Sequence, residues 1–171
     1  MARDHIPGNN NGGISILPED PASPDATELI RQLSAELAVR YDFADDGSGL
    51  FSAADVQVPR AAFLVLRLDG QPVGCGALRP MEEAGFEDAA EIKRMYVAPE
   101  VRGRRLAAVI LAELERLARA FGYARAILET GDRNPEAIRL YERSGYQHIP
   151  PYGPYIGSAR SVCFARYLDT L

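Results

Sequence analysis

Residues 91–121, EIKRMYVAPEVRGRRLAAVILAELERLARAF, constrain the fold more than any other stretch, because they read as a strand, a tight arginine-rich turn and an amphipathic helix. Glu91 to Val97 mixes apolar and charged residues and stops at Ala98-Pro99, since proline cannot donate to a ladder and forces the chain off the strand direction. From Leu106 onward, Leu106, Ile110, Leu114, Leu117 and Phe121 recur at threes and fours, the period that gathers a stripe on one helix face. Gly122 suits the residue just past the helix, and Glu115 with Arg119 reads as an outward i,i+4 pair. Between strand and helix stand Arg102, Gly103, Arg104 and Arg105. Three cations at a helix start oppose its partial positive charge and its unpaired N–H groups unless something polyanionic occupies the turn. Phosphate is the candidate; a solvated basic loop is the alternative.

The run Val97 to Ala107 resembles motif A of the GNAT superfamily of N-acetyltransferases, Gln/Arg-x-x-Gly-x-Gly/Ala, with Arg102 in the first position and Ala107 in the last. Arg105 stands where the middle glycine belongs, and an arginine fits there only with its side chain turned away and a negative φ. Asn134 to Tyr146, NPEAIRLYERSGY, resembles motif B of the same superfamily. Its local chemistry is sound: Asn134 can cap, Pro135 suits the first helical position, and Gly145 ends the helix. The two blocks and the strand between them span residues 97–146, just under a third of the chain.

A length of 171 residues suits one domain, expected over 14–171 behind a flexible tail, 1–13. No apolar run reaches the length of a membrane span and the first residues lack an apolar secretion segment, so the expectation is a cytoplasmic protein without a membrane partner. Cys75 and Cys163 lie in apolar runs, too dispersed for a metal site or a disulfide framework, and read as packed thiols. The net charge of −5 argues against nucleic acid. The charge is uneven: residues 1–59 carry ten acids against three bases and residues 60–171 fourteen against sixteen, which suits an anionic cofactor in the second part.

Taken in order, Ile14 to Leu17 reads as a strand, and Ser23-Pro24-Asp25 starts a helix running to about Tyr41. Ala62 to Leu68 and Pro72 to Arg79 form a hairpin about Asp69-Gly70, with Gly74 and Gly76 leaving one face open to close approach. Ala124 to Glu129, Tyr146 to Ile149 and Val162 to Leu168 complete the strands. The pattern is α+β, and it matches the superfamily's three-layer layout. That layout has a mixed, mostly antiparallel sheet, helices on both faces and a splay between the fourth and fifth strands.

The resemblance implies acetyl-CoA as cosubstrate and no metal. It places the cofactor on Met95, Tyr96 and Val97, on the turn Arg102, Gly103, Arg104, Arg105, Leu106 and Ala107, and on Asn134 and Tyr141. An alkylamine is protonated at neutral pH, its pKa being near ~10.4, so transfer to it needs a base. Glu91, on the same strand, is the expected base, directly or through water; Glu129 and His148 are weaker candidates. Tyr141 matches the superfamily's tyrosine acid. Asp42 and Asp45 are expected near a substrate cation, and Tyr152 and Tyr155 of the PPYGPY loop at the acceptor mouth. The expected activity is N-acetylation of a primary amine on a small or amino-acid-like acceptor. The alternatives are a non-catalytic acyl-CoA-binding sensor and an enzyme acetylating protein N-termini or lysines. A homodimer is an expectation by analogy with the superfamily.

Overall fold

A computed structural model describes residues 13–43 and 48–169; residues 1–12 of the expected tail, and Asp45, lie outside the described residues. Seven strands form one sheet: β1 (Ile14–Pro18), β2 (Ala62–Leu68), β3 (Gln71–Pro80), β4 (Ala89–Val97), β5 (Arg125–Gly131), β6 (Gln147–Ile149) and β7 (Ser161–Tyr167). Their spatial order is β1-β2-β3-β4-β5-β7-β6. The neighbours pair antiparallel except β4 and β5, which are parallel. Among the described residues three α-helices accompany the sheet: α1 (Pro24–Arg40), α2 (Leu106–Ala120) and α3 (Pro135–Arg143).

Local chemistry accounts for these boundaries. Ser23 caps α1 by accepting from the Ala26 N–H, with Pro24 next to it, and Asn134 caps α3 by accepting from Ala137. The β2–β3 hairpin turns on Asp69 and Gly70, both at positive φ, as a two-residue turn between right-twisted strands requires. Gly74 and Gly76 sit under α2: a Cβ on Gly76 would lie 2.7 Å from Ile110 Cγ2 and 2.8 Å from Leu114 Cδ1. The opposite face carries α1, whose Gln32 accepts from the Tyr96 hydroxyl at 3.3 Å, Tyr96 being paired with Cys75 in the register. The expected helices on both faces are therefore present.

The splay has a visible cause. Cys75 pairs with Tyr96 and Ala77 with Lys93, so the single residue Gly76 opposes two, Arg94 and Met95, and Arg94 takes φ 56°. Such a bulge bends and twists its strand. Pairing of β4 with β5 runs from Ala89↔Arg125 to Ile92↔Leu128 and stops just before the bulge, although β4 continues to Val97 and β5 to Gly131.

Leu64, Leu66, Leu78, Ile110, Leu114, Leu128 and Phe164 fill the main core, and both cysteines are buried and free. One expectation needs correcting. Glu115 does not face outward: it is buried, and Arg166 of β7 holds both its oxygens at 3.0 and 2.9 Å, with Arg119 more distant at 3.9 Å. The helical period holds, and a cation from a strand distant in sequence makes burial of that carboxylate tolerable. Among the described residues no helix is long and apolar enough to cross a membrane.

Candidate active site

The gap between the diverging ends of β4 and β5 opens into a cavity of about 1160 Å³. Residues 92–97 of β4 form one wall and Glu129, Thr130 and Gly131 of β5 the other. The start of α2 closes one end, and α3, with Asn134, Leu140 and Tyr141, lines a side. Helix α1 adds Leu33, Glu36, Leu37 and Arg40, and the late loop adds Pro154, Tyr155 and Arg160.

At the α2 end the helix start carries no polar side-chain partner from its own cap or first turn. Arg105 precedes the helix without a side-chain cap, and the first turn holds no acid. The first N–H groups thus have no side-chain partner from the cap, beside a cavity lined by Arg102, Gly103, Leu106 and Ala107. The expectation for Arg105 is corrected in one respect: its φ is 61°, not negative, and the arginine occupies a glycine's backbone conformation. Arg102 is a strut. Its Nε donates to the Val97 carbonyl at 2.8 Å and its Nη2 to Glu36 Oε2 at 2.5 Å, fixing the turn to β4 and to α1. Asn134 does more than cap: its Oδ1 also accepts from Arg40 Nη1 at 2.9 Å.

Tyr141 lies on the cavity wall, 5% exposed, with its ring against Tyr146 and Phe164. Burial, reinforced by the charge of Glu129, holds its hydroxyl well above the ordinary tyrosine range, so it keeps its proton. Across the cavity Lys93 Nζ donates to the Tyr155 hydroxyl at 2.7 Å, and both residues line the wall. Glu91 lies behind them, 2% exposed and outside the lining. Its Oε2 accepts from Arg79 Nε at 2.7 Å and its Oε1 from the Tyr152 hydroxyl at 3.0 Å, while Lys93 Nζ stands 3.8 Å from Oε1. Arg79 also bonds Asp55 at 2.8 Å, so a chain of alternating charges runs from the half-buried Asp55 through Arg79 to the buried Glu91.

The structure therefore gathers Met95, Tyr96, Val97, Arg102, Gly103, Arg105, Leu106, Ala107, Asn134, Tyr141 and Tyr155 around one cavity. Arg104, Glu91, Tyr152 and Asp42 are not among its lining residues. Tyr152 packs against Phe86 and Tyr155, and Asp42 pairs with Arg133 at 2.7 Å on the surface. Glu129 lines the cavity, whereas His148 pairs with Glu142 at 3.0 Å on an exposed face. Sequence reasoning passed over Glu36, Arg40 and Lys93. The first two depend on where α1 docks, which no local pattern encodes. Lys93 carried a signal, because it is the single lysine of the chain, beside eighteen arginines. No cluster of potential metal ligands occurs among the described residues.

The family model described as "Acetyltransferase (GNAT) family" matches residues 26–146. An IAA acetyltransferase of Azospirillum brasilense is 34% identical over 142 residues, covering 83% of this chain and 90% of the relative. Among solved structures, a proposed acyl-CoA N-acyltransferase from Klebsiella pneumoniae is 31% identical at TM-score 0.74, covering 93% of this chain and all of that one. A proposed acetyltransferase from Salmonella typhimurium, solved with its cofactor acetyl-CoA, shares the fold at TM-score 0.65 with 19% identity, over 93% of this chain and 96% of that one. With motif, splayed sheet and relatives in agreement, the chain belongs to the GNAT family of acetyltransferases.

Proposed function

We propose that the chain transfers the acetyl group of acetyl-CoA directly to a primary amine on a small or amino-acid-like acceptor. The observation that carries this reading is the single cavity that joins the uncapped start of α2 to Tyr141 and to the Lys93–Tyr155 pair. The acetyl-CoA seen in the Salmonella structure supports the cosubstrate, and the name of the Azospirillum relative supports a small acceptor.

The residues present fit such a cofactor. The first-turn N–H groups of α2, with Gly103 and Arg105 before them, suit a pyrophosphate. Residues Met95 to Val97, past the end of the β4–β5 pairing, suit a chain of amides that adds to the sheet like a strand. Arg102, Arg104 and Asn134 complete this end. When bound, acetyl-CoA supplies an acetyl group activated as a thioester. Tyr141 holds a proton beside the cavity and delivers it to the departing sulfur. Glu91 is the carboxylate toward which the acceptor's proton moves. Tyr155 flanks the acceptor, and Tyr152 keeps Glu91 in place.

Calorimetric titration with acetyl-CoA, followed by a thiol-release screen over primary amines, tests this reading. Micromolar binding that an Arg102→Ala, Asn134→Ala double variant loses, with turnover of at least one amine, supports it. Binding without turnover of any amine points instead to a sensor module, and absence of binding removes the reading altogether.

A further inference from the structure

We propose that Lys93 and Tyr155 form the proton path from the acceptor amine to Glu91, with Lys93 as the titrating member. The inference rests on the amine acetyltransferase reading above. Glu91 does not line the cavity, and both its oxygens already accept hydrogen bonds, from Arg79 and Tyr152. The groups that connect it to the cavity are Lys93 Nζ, 3.8 Å from Oε1, and the Tyr155 hydroxyl, 2.7 Å further on.

The identity of the residue matters. Arginine stays protonated at any working pH, whereas a lysine removed from water gives up its proton readily. The chain uses arginine at eighteen positions and lysine at this one alone. Burial is the main influence on Lys93 and lowers its pKa; Glu91 and Glu129 favour its charge, while Arg79 and Arg94 oppose it. These groups come from β3, β4 and β5, and Tyr155 faces the ammonium from the late loop.

The proton balance closes. Lys93 passes one proton to Glu91 Oε1 and becomes a neutral amine. The Tyr155 hydroxyl gives its proton to Lys93 Nζ and takes one from the acceptor ammonium. The acceptor is left with the lone pair it needs for attack on the acetyl carbonyl, Glu91 holds the extra proton, and Lys93 and Tyr155 end as they began. As product leaves, Glu91 returns the proton to solvent along the same path.

The test uses full-length protein, acetyl-CoA and the best alkylamine from the thiol-release screen, with kcat/KM measured from neutral to alkaline pH for wild type, Lys93→Met, Lys93→Arg and Tyr155→Phe. Calorimetric affinity for acetyl-CoA should be the same in the three variants as in wild type, which controls for folding. Both lysine variants should lose tenfold or more at neutral pH and recover toward wild type once the amine arrives already neutral. Lys93→Arg is decisive, because it preserves charge without a transferable proton. Wild-type rates in Lys93→Arg, or a loss equal at every pH, overturns the relay and leaves Lys93 a structural cation. A readout independent of turnover comes from NMR of protein grown with isotope-labelled lysine, which carries a single side-chain signal from the chain's one lysine. That signal should titrate below the ordinary lysine range; titration at the ordinary value also overturns the proposal. If wild type acetylates no amine at all, the amine acetyltransferase reading fails first and the relay with it.

Discussion

Arg105 holds a backbone conformation that costs an L-residue roughly 1–2 kcal/mol, and its side chain makes no hydrogen bond that caps the helix behind it. Glycine there removes the steric cost and returns part of the gain as unfolded-chain entropy. Arg105→Gly should therefore raise stability by about 0.5–1 kcal/mol, read as a higher urea midpoint at unchanged slope. A lower midpoint would mean that the guanidinium makes contacts worth more than the strain. Arg79 presents the opposite balance. It joins Glu91 and Asp55, and Arg79→Met leaves a carboxylate that is 2% exposed facing only Tyr152 and the more distant Lys93. Removal of one partner from a buried pair costs about 3 kcal/mol or more. The double variant Arg79→Met, Glu91→Met should recover a large part of that loss, and equal instability of single and double variants would show that the pair itself was not the source.

The bulge in β4 is the element on which the site depends, and Gly76 is its partner across the sheet. A Cβ at Gly76 would press on Ile110, Leu114 and the Met95 sulfur at 2.7, 2.8 and 3.1 Å, so both α2 and the bulged segment must give way. Gly76→Ala should cost about 1–3 kcal/mol by denaturant unfolding and weaken acetyl-CoA binding, because α2 and Met95 both border the cavity. Loss of stability with affinity intact would separate the packing of α2 from the geometry of the site. Much of this architecture was legible in the sequence. Pro99 stopped β4, Asp69-Gly70 marked the hairpin, and the apolar spacing from Leu106 gave α2, because proline geometry, turn chemistry and helical period act within a few residues. The bulge at Arg94 was not legible, since it is defined by the register of Gly76 across the sheet, and Arg94 has none of the usual marks of a positive φ. Nor was the burial of Glu115, which depends on Arg166, or the place of Tyr152 behind Glu91 rather than at the cavity. The last two are settled by partners 51 and 61 residues away in the chain.

At the scale of the whole molecule, the tyrosines set an upper limit on the pH at which the fold survives. Seven of the eight tyrosines have hydroxyls raised above the ordinary range, in every case with burial as the largest cause, and Tyr141, Tyr146, Tyr152 and Tyr155 are shifted furthest. A raised folded pKa means that the native state keeps a proton which the unfolded chain has released. Their contribution to stability is complete below the ordinary tyrosine value of about 10 and is lost as pH climbs above it. The buried thiols act in the same direction, Cys163 pushed up to about 11 and Cys75 to about 12. Lys93 has the opposite sign, but its contribution ends once unfolded lysine is also neutral, near ~10.4. Above that pH the four most shifted tyrosines together remove up to about 5 kcal/mol per pH unit, against a total stability of order 5–15 kcal/mol for a domain of this kind. The chain should unfold cooperatively within about one to three units above pH 10. Tyrosinate absorbance and far-ultraviolet circular dichroism, followed together in an alkaline titration, should rise and fall through one shared transition. Smooth ionisation of these tyrosines with the helix signal intact would mean that solvent reaches Tyr141 and Tyr155 without unfolding, and that the walls of the cavity open more freely than their burial implies.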